Sequence, residues 1–266
     1  MKLKLRLCYK VVLIALLFTS GLIIAAIIFP ALGVLCKPSK AKRNRDTLKL
    51  TWLKWFCTIL RLQITTEGVS PDKTCLLVSN HISWLDIVVL GCLIPAHFVA
   101  KSDILAWPII GYLAKQGGTI FVRRGNKQQV KAITEEMLWL LKQNSTVIAF
   151  PEGTTTNGDV VLPFHASLFQ SALLTKSTIQ PVAIQYVGEA RQLAPFIGED
   201  VFVPHLIKML SLDKIEVRVV FLHTINAAGK NRQSVSNEAR AMIVASVAGE
   251  FPDAAIPLLK RQHNLH

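Results

Sequence analysis

An imidazole and a carboxylate stand five positions apart in Asn80-His-Ile-Ser-Trp-Leu-Asp86, directly after the apolar run Cys75-Leu-Leu-Val-Ser79. Histidine has the proton affinity of a general base near neutral pH, and an ionised carboxylate is its usual orienting partner. His81 and Asp86 are therefore the candidates for taking a proton from a hydroxyl as it attacks a carbonyl. On a single helix, positions i and i+5 lie about 140° apart. The two side chains meet only if His81 sits in the turn before a helix and Asp86 in its first turn. Ser83 suits the N-cap of such a helix, which puts Asp86 at the third helical position, where the helix dipole favours its ionised form. The same residues also read as a plain capping box, Ser83-x-x-Asp86, beside a buried histidine.

Three more segments follow in order: Gly118-Thr-Ile-Phe-Val-Arg-Arg-Gly125, Phe150-Pro-Glu-Gly-Thr154 and Ile179-Gln-Pro-Val-Ala-Ile184. The first ends in Arg123 and Arg124, whose planar donor forks suit a phosphate, or else form an exposed strand end. In the second, Glu152, Gly153 and Thr154 follow the apolar stretch 147–150. That places them in a loop at the C-terminal end of a strand, the side on which α/β sheets take ligands. Gly153 would let backbone N–H groups approach a carbonyl that develops negative charge, and Pro-Glu-Gly is also an ordinary turn. The third is an apolar strand around Pro181, which a core role explains as well as a substrate channel does. No Gly-x-Ser-x-Gly is present, so neither a serine hydrolase nor a covalent acyl-enzyme is indicated.

These four segments, spread over about residues 65 to 225, resemble the conserved blocks of the glycerolipid acyltransferase family, which includes the lysophosphatidic acid acyltransferases. The resemblance implies a membrane-bound O-acyltransferase. An acyl group would pass from a thioester, acyl-acyl carrier protein or acyl-coenzyme A, to the free hydroxyl of a lysolipid. The acceptor it implies is 1-acylglycerol-3-phosphate, giving phosphatidic acid, with His81 and Asp86 catalytic and Arg124, Glu152, Gly153 and Thr154 on the acceptor side. No metal and no tightly bound cofactor is implied. Two positions depart from the family's commonest form. Thr155 stands where an Arg is usual, and His165 follows Pro163-Phe164 where a Lys is frequent. Both remove permanent positive charge from the headgroup site, which keeps a lyso-ornithine lipid open as the alternative acceptor. A non-catalytic lipid-binding membrane protein of the same fold is the reading from another class.

The elements that must position these residues are legible from patterning. Short apolar runs at 75–79, 97–101, 119–123, 146–150, 180–186 and 215–222 alternate with helical patterns at 83–94, 103–116, 127–143, 165–176 and 233–249. That alternation predicts an α/β domain with a mainly parallel or mixed sheet flanked by helices. Ahead of it lies a membrane-embedded helical segment, which divides the chain into residues 1–63 and an acyltransferase domain at 64–266. Val11–Cys36 carries no charge and is long enough to cross a bilayer. Residues 1–50 hold ten Lys or Arg against one acid, Asp46, in a chain of net charge +13. Charge that brackets an apolar run points to a membrane rather than to nucleic acid. Basic flanks on both sides place both on the cytoplasmic side, with the catalytic domain. Bends at Gly21, Pro30 or Gly33 would allow a hairpin, and a plain span is the other reading. Residues 47–63 predict an amphipathic helix that rests in the interface through Trp52 and Trp55, packs on the core, or does both. The five scattered cysteines lack Cys-x-x-Cys spacing and read as buried thiols rather than as disulfides or zinc ligands.

Overall fold

Strand β2 (Cys75–Ser79) is buried along its whole length, and successive side chains enter two different cores. Cys75 and Leu77 join one cluster while Leu76 and Val78 join the other, as expected for a central strand covered on both faces. The computed structural model describes residues 2–71, 74–122, 127–249 and 261–262. Helix α1 (Lys2–Ile23) continues through a π-helical turn (Ile24–Ile28) into α2 (Phe29–Leu35), and α3 (Pro38–Leu60) runs back. Strand β1 (Leu62–Gly68) and β2 come next, followed by α4 (Leu85–Leu93), β3 (Ala96–Lys101), α5 (Ile110–Gln116) and β4 (Ile120–Val122). The second half contains α6 (Lys127–Lys142), β5 (Thr146–Ala149), α7 (Gln170–Thr175), β6 (Thr178–Val187), α8 (Ala190–Leu193) and α9 (Phe202–Ser211). Strand β7 (Ile215–Phe221), α10 (Arg232–Ala248) and the short β8 (Arg261–Gln262) complete it.

The sheet order is β4-β3-β5-β2-β6-β7-β1-β8. Neighbours from β4 to β6 are parallel, as are β7 and β1; β6–β7 and β1–β8 are antiparallel. One face packs residues of α1, α3, α4 and α9, and the other those of α6, α7 and α10. This is the expected α/β architecture, a mostly parallel mixed sheet between helical layers. Strands β2 and β5 lie side by side, Leu76 opposite Val147 and Val78 opposite Ala149. The loops that follow them, with His81 and Glu152, therefore leave the same sheet edge together.

Three details differ from the sequence reading. The expected helix 103–116 breaks into a 3-10 turn (Ser102–Ala106) and α5, because Trp107-Pro108 cannot continue it. Strand β1 and the helices α8 and α9 were not expected. The N-terminal segment stays helical through Gly21, Pro30 and Gly33, and leaves the helix only at Cys36-Lys37, before α3. The glycines instead let α3 approach. A Cβ on Gly21 would stand 2.9 Å from Trp52 Nε1, and one on Gly33 2.9 Å from an Arg45 nitrogen. Trp52 Nε1 donates to Leu17 O (2.9 Å) and Arg45 Nη2 to Phe29 O (2.6 Å), so α3 is fastened along α1 and α2. Phe56, Cys57, Ile59 and Leu60 of α3 are buried in the domain core while Trp55 faces outward, so this helix packs on the core as one of its readings required.

Candidate active site

The site begins where β2 runs out of backbone partners. Ser79 is the last residue of β2 paired with β6, opposite Val182. Asn80 then extends the ladder with its side chain: Nδ2 donates to Ile184 O (3.0 Å) and Oδ1 accepts from Ile184 N–H (2.8 Å). A buried amide that satisfies both backbone groups of one residue holds the turn tightly against β6.

His81 sits in that turn and Asp86 in the first turn of α4, as the spacing required. Asp86 is fully buried. Its Oδ2 accepts from His81 Nδ1 (2.8 Å), Ile82 N–H (2.7 Å) and Ser83 N–H (2.9 Å), and its Oδ1 from the Tyr186 hydroxyl (2.7 Å). Helix α4 takes Trp84, not Ser83, as its N-cap, so Asp86 is its second residue rather than its third. The expected capping box does not form, although the carboxylate still reaches back to the amide of Ser83. Ser83 Oγ is buried and has no hydrogen-bond partner among the described residues, so the expected hydroxyl cap is absent. An ionised carboxylate only accepts, so Nδ1 of His81 carries the hydrogen and Nε2 is left with its lone pair. The imidazole stacks on Phe150 at 4.0 Å between centroids and is 19% exposed.

The loop after β5 holds the backbone of His81. Glu152 Oε1 accepts the His81 N–H (2.8 Å), and Oε2 accepts the Leu162 N–H (2.8 Å). Thr156 N–H donates to His81 O (2.9 Å). Burial raises the proton affinity of the Glu152 carboxyl, and the two amide hydrogen bonds oppose that rise. Gly153 adopts φ +66°, a conformation that glycine takes without strain. Its N–H donates to Phe150 O (3.1 Å), closing the turn. Thr154 follows, partly buried, in the same loop. Arg123 and Arg124 lie outside the described residues. His165 opens the 3-10 turn Ala166–Phe169, and its N–H donates to Pro151 O (2.9 Å).

Sequence reasoning missed two neighbours. Tyr186 touches Asp86 from β6, one hundred positions away. Phe196 lies against the turn from the segment between α8 and α9. Its N–H donates to Ile82 O (3.0 Å) and its carbonyl accepts the Thr155 hydroxyl. Thr155, the residue in place of the usual Arg, is thus committed to holding that segment. Trp84 Nε1 donates to His205 Nδ1 (3.0 Å), and His205 Nε2 bonds to Pro195 O (3.1 Å). This fixes His205 as the neutral Nε2–H tautomer, in keeping with burial lowering its proton affinity.

The arrangement presents one basic nitrogen, oriented by a buried carboxylate, at the C-terminal edge of a parallel sheet. Such a site can deprotonate a hydroxyl. The profile of the family described as Acyltransferase matches residues 61–185, which hold His81, Asp86 and Glu152 and end one residue before Tyr186. A lyso-ornithine lipid O-acyltransferase of Pseudomonas aeruginosa is 36% identical over 207 residues, 77% of this chain and 80% of its own. A 1-acyl-sn-glycerol-3-phosphate acyltransferase of Neisseria meningitidis is 32% identical over 211 residues, 78% of this chain and 83% of its own. In fold, the crystal structure of the 1-acyl-sn-glycerophosphate acyltransferase of Thermotoga maritima superposes with a TM-score of 0.68 over 92% of this chain and 97% of that one, at 18% identity. With its fold, its motif order and these similarities in agreement, this chain belongs to the acyltransferase family that acts on lysolipids.

Proposed function

We propose that the chain transfers a fatty acyl group from an acyl carrier protein or coenzyme A thioester to the free hydroxyl of a lysolipid, with His81 as general base and Asp86 as its orienting carboxylate. The 2.8 Å contact between His81 Nδ1 and a fully buried Asp86 carries this reading. Nε2 takes the hydroxyl proton as the oxygen bonds to the thioester carbonyl carbon. The tetrahedral intermediate then expels the thiolate, which recovers the proton from the imidazolium. Ester and free thiol are the products, and the acyl group never leaves a substrate for the protein. Asp86 offsets the positive charge that His81 acquires. Glu152 and Gly153 shape the acceptor wall, Glu152 by fixing the His81 backbone, with Thr154 beside them and Arg124 as the anion-binding residue.

A lyso-ornithine lipid is the acceptor favoured by Thr155. A neutral residue tied to Phe196 O leaves no guanidinium there for a phosphate, and the ornithine headgroup is zwitterionic. Lysophosphatidic acid is the second reading, favoured by Arg124. Competition between the two lysolipids on purified enzyme, with each donor type, decides. Arg124→Ala is expected to raise KM for lysophosphatidic acid more than for the thioester, and to change KM for a zwitterionic acceptor less. An unchanged acceptor KM in an enzyme that prefers lysophosphatidic acid would remove Arg124 from the site.

We further propose that residues 1–63 hold the protein at the membrane and that residues 64–266, the catalytic domain, face the cytoplasm. The helical stretch Lys4–Leu35 is long and apolar enough to cross a bilayer. Its contacts support a different placement. Arg6 near the start of α1 and Arg61 after the end of α3 both pair with Asp213, so the two ends of the helical pair meet on the domain. Lys10 Nζ donates to Leu212 O (2.9 Å) beside them. The inner face of the pair carries Ile14, Leu17, Ala25 and Phe29, all buried. The outer face exposes Leu5, Tyr9, Val12, Leu16, Ile23, Ile27 and Val34, again at helical spacing. Such a stripe lies along the membrane plane rather than across it. Burying one aliphatic side chain contributes about 2 kcal/mol that salt does not screen. The enzyme should therefore stay with membranes through a high-salt wash. Release by salt alone would show that charge holds it, and labelling of Cys8 only from outside the cell would restore a crossing helix.

A further inference from the structure

Asp86 receives hydrogen bonds from two directions. Its own turn supplies His81, Ile82 and Ser83 to Oδ2, and a strand distant in sequence supplies Tyr186 to Oδ1. The placement of Tyr186 follows from the sheet. Val182, Ile184 and Tyr186 alternate onto the face of β6 that packs with α4 and α3. Asn80 clamps Ile184, two residues earlier, through both its backbone groups. The turn that carries His81 is thus registered against β6 twice, once by Asn80 and once by the phenol. The phenol is buried, and burial together with the Asp86 charge raises its proton affinity well above that of an ordinary tyrosine. It therefore stays a donor throughout the reaction. Among the described residues, the other titratable groups facing the pair are Glu152 from the loop after β5 and the buried thiol of Cys57 on α3 beside Tyr186.

A donor on Oδ1 does two things. It fixes the carboxylate plane, so that Oδ2 is aimed at Nδ1. It also draws negative charge from the carboxylate, so that the imidazolium is held less strongly than a bare carboxylate would hold it. We propose that Tyr186 is a positioning residue for the His81–Asp86 pair, which sets through Asp86 Oδ1 both the aim of the carboxylate and the pH at which His81 becomes free to act as a base. The proposal rests on the reading of His81 as the general base.

Tyr186→Phe keeps the ring and removes only the donor. The charge left on Asp86 then retains the proton on His81 to higher pH. The acid limb of the kcat/KM profile should move up by about half a pH unit or more. At neutral pH kcat should fall about tenfold, with acceptor KM unchanged. Fluorotyrosine introduced at position 186 keeps the ring, hydroxyl and packing while making a stronger donor, so it should move the acid limb the other way, to lower pH. A residue that only packs β6 would change thermal stability and leave both profiles superimposed on that of the wild type, which would overturn the proposal. Should Tyr186→Phe fail to fold, the fluorotyrosine protein alone decides by the presence or absence of its shift. His81→Ala is assayed in parallel. If that variant keeps its activity, the general-base reading fails; if it is inactive while the position-186 variants leave the profile unmoved, only the role of Tyr186 fails.

Discussion

His81→Ala is expected to lower kcat/KM by about 10²-fold or more while leaving the protein folded. The size follows from the reaction. A neutral hydroxyl is a poor nucleophile toward a thioester, and Nε2 is the basic atom that the turn leaves with its lone pair exposed. The structural cost is small by comparison. Among the described residues the imidazole makes one side-chain hydrogen bond and stacks on Phe150, and it is already partly open to solvent. Without it, Asp86 Oδ2 still receives the amides of Ile82 and Ser83, and Oδ1 the Tyr186 hydroxyl. The backbone of residue 81 keeps its bonds to Glu152 and Thr156, which do not depend on the side chain. Initial rates on a lysolipid with saturating thioester, read beside a thermal unfolding curve, separate the two effects. Near-normal turnover in a folded variant would end the mechanism proposed here.

What could be read from sequence, and what could not, follows the distance over which each contact is made. The His81–Asp86 pair spans five residues, so one turn and one helix start determine it, and spacing alone predicts the contact. Strands β2 and β5 read as short apolar runs, and β6 as a longer one interrupted by Gln180 and Gln185. Strand β1 was missed for the opposite reason. It contains Thr65, Thr66 and Glu67, and it exists because Leu62–Gly68 lies along Ile215–Phe221 across some 150 intervening residues. Tyr186 and Phe196 belong to the same class, since no local pattern marks a strand tyrosine or a loop amide as a neighbour of a distant turn. Glu152 shows an intermediate case. Its motif marked it as part of the site. Yet only the folded chain reveals that both its oxygens are taken by backbone amides, those of His81 and Leu162. The break in the helix expected at 103–116 had a visible signal in Pro108, which outweighs the helical pattern around it. Beyond that break Ile109 takes φ +64°, a conformation rare for a β-branched residue and not foreseeable from composition.

Asp86→Asn tests the charge of the carboxylate apart from its shape. A carboxamide can put its oxygen where Oδ2 lies and accept the same three donors, His81 Nδ1, Ile82 N–H and Ser83 N–H. Its NH2 then takes the place of Oδ1 and faces the Tyr186 oxygen, which can accept as readily as donate. The phenol hydrogen loses its partner in a buried place, at a cost of about 1–3 kcal/mol. The variant should therefore fold, with a lower melting temperature. Catalysis should suffer far more. When His81 takes the hydroxyl proton it becomes a cation against a fully buried neighbour, and only an anion there offsets the charge. A loss of about 10²-fold or more in kcat is expected here, with KM for both substrates nearly unchanged. The pH dependence gives a second, signed readout. An imidazolium without its carboxylate loses its proton more easily, so the acid limb of kcat/KM should move to lower pH even as the plateau falls. Turnover within a few-fold of the wild type would mean that Asp86 only caps α4. A fall in rate with an unmoved acid limb would mean that the carboxylate aims His81 but does not stabilise its charged form.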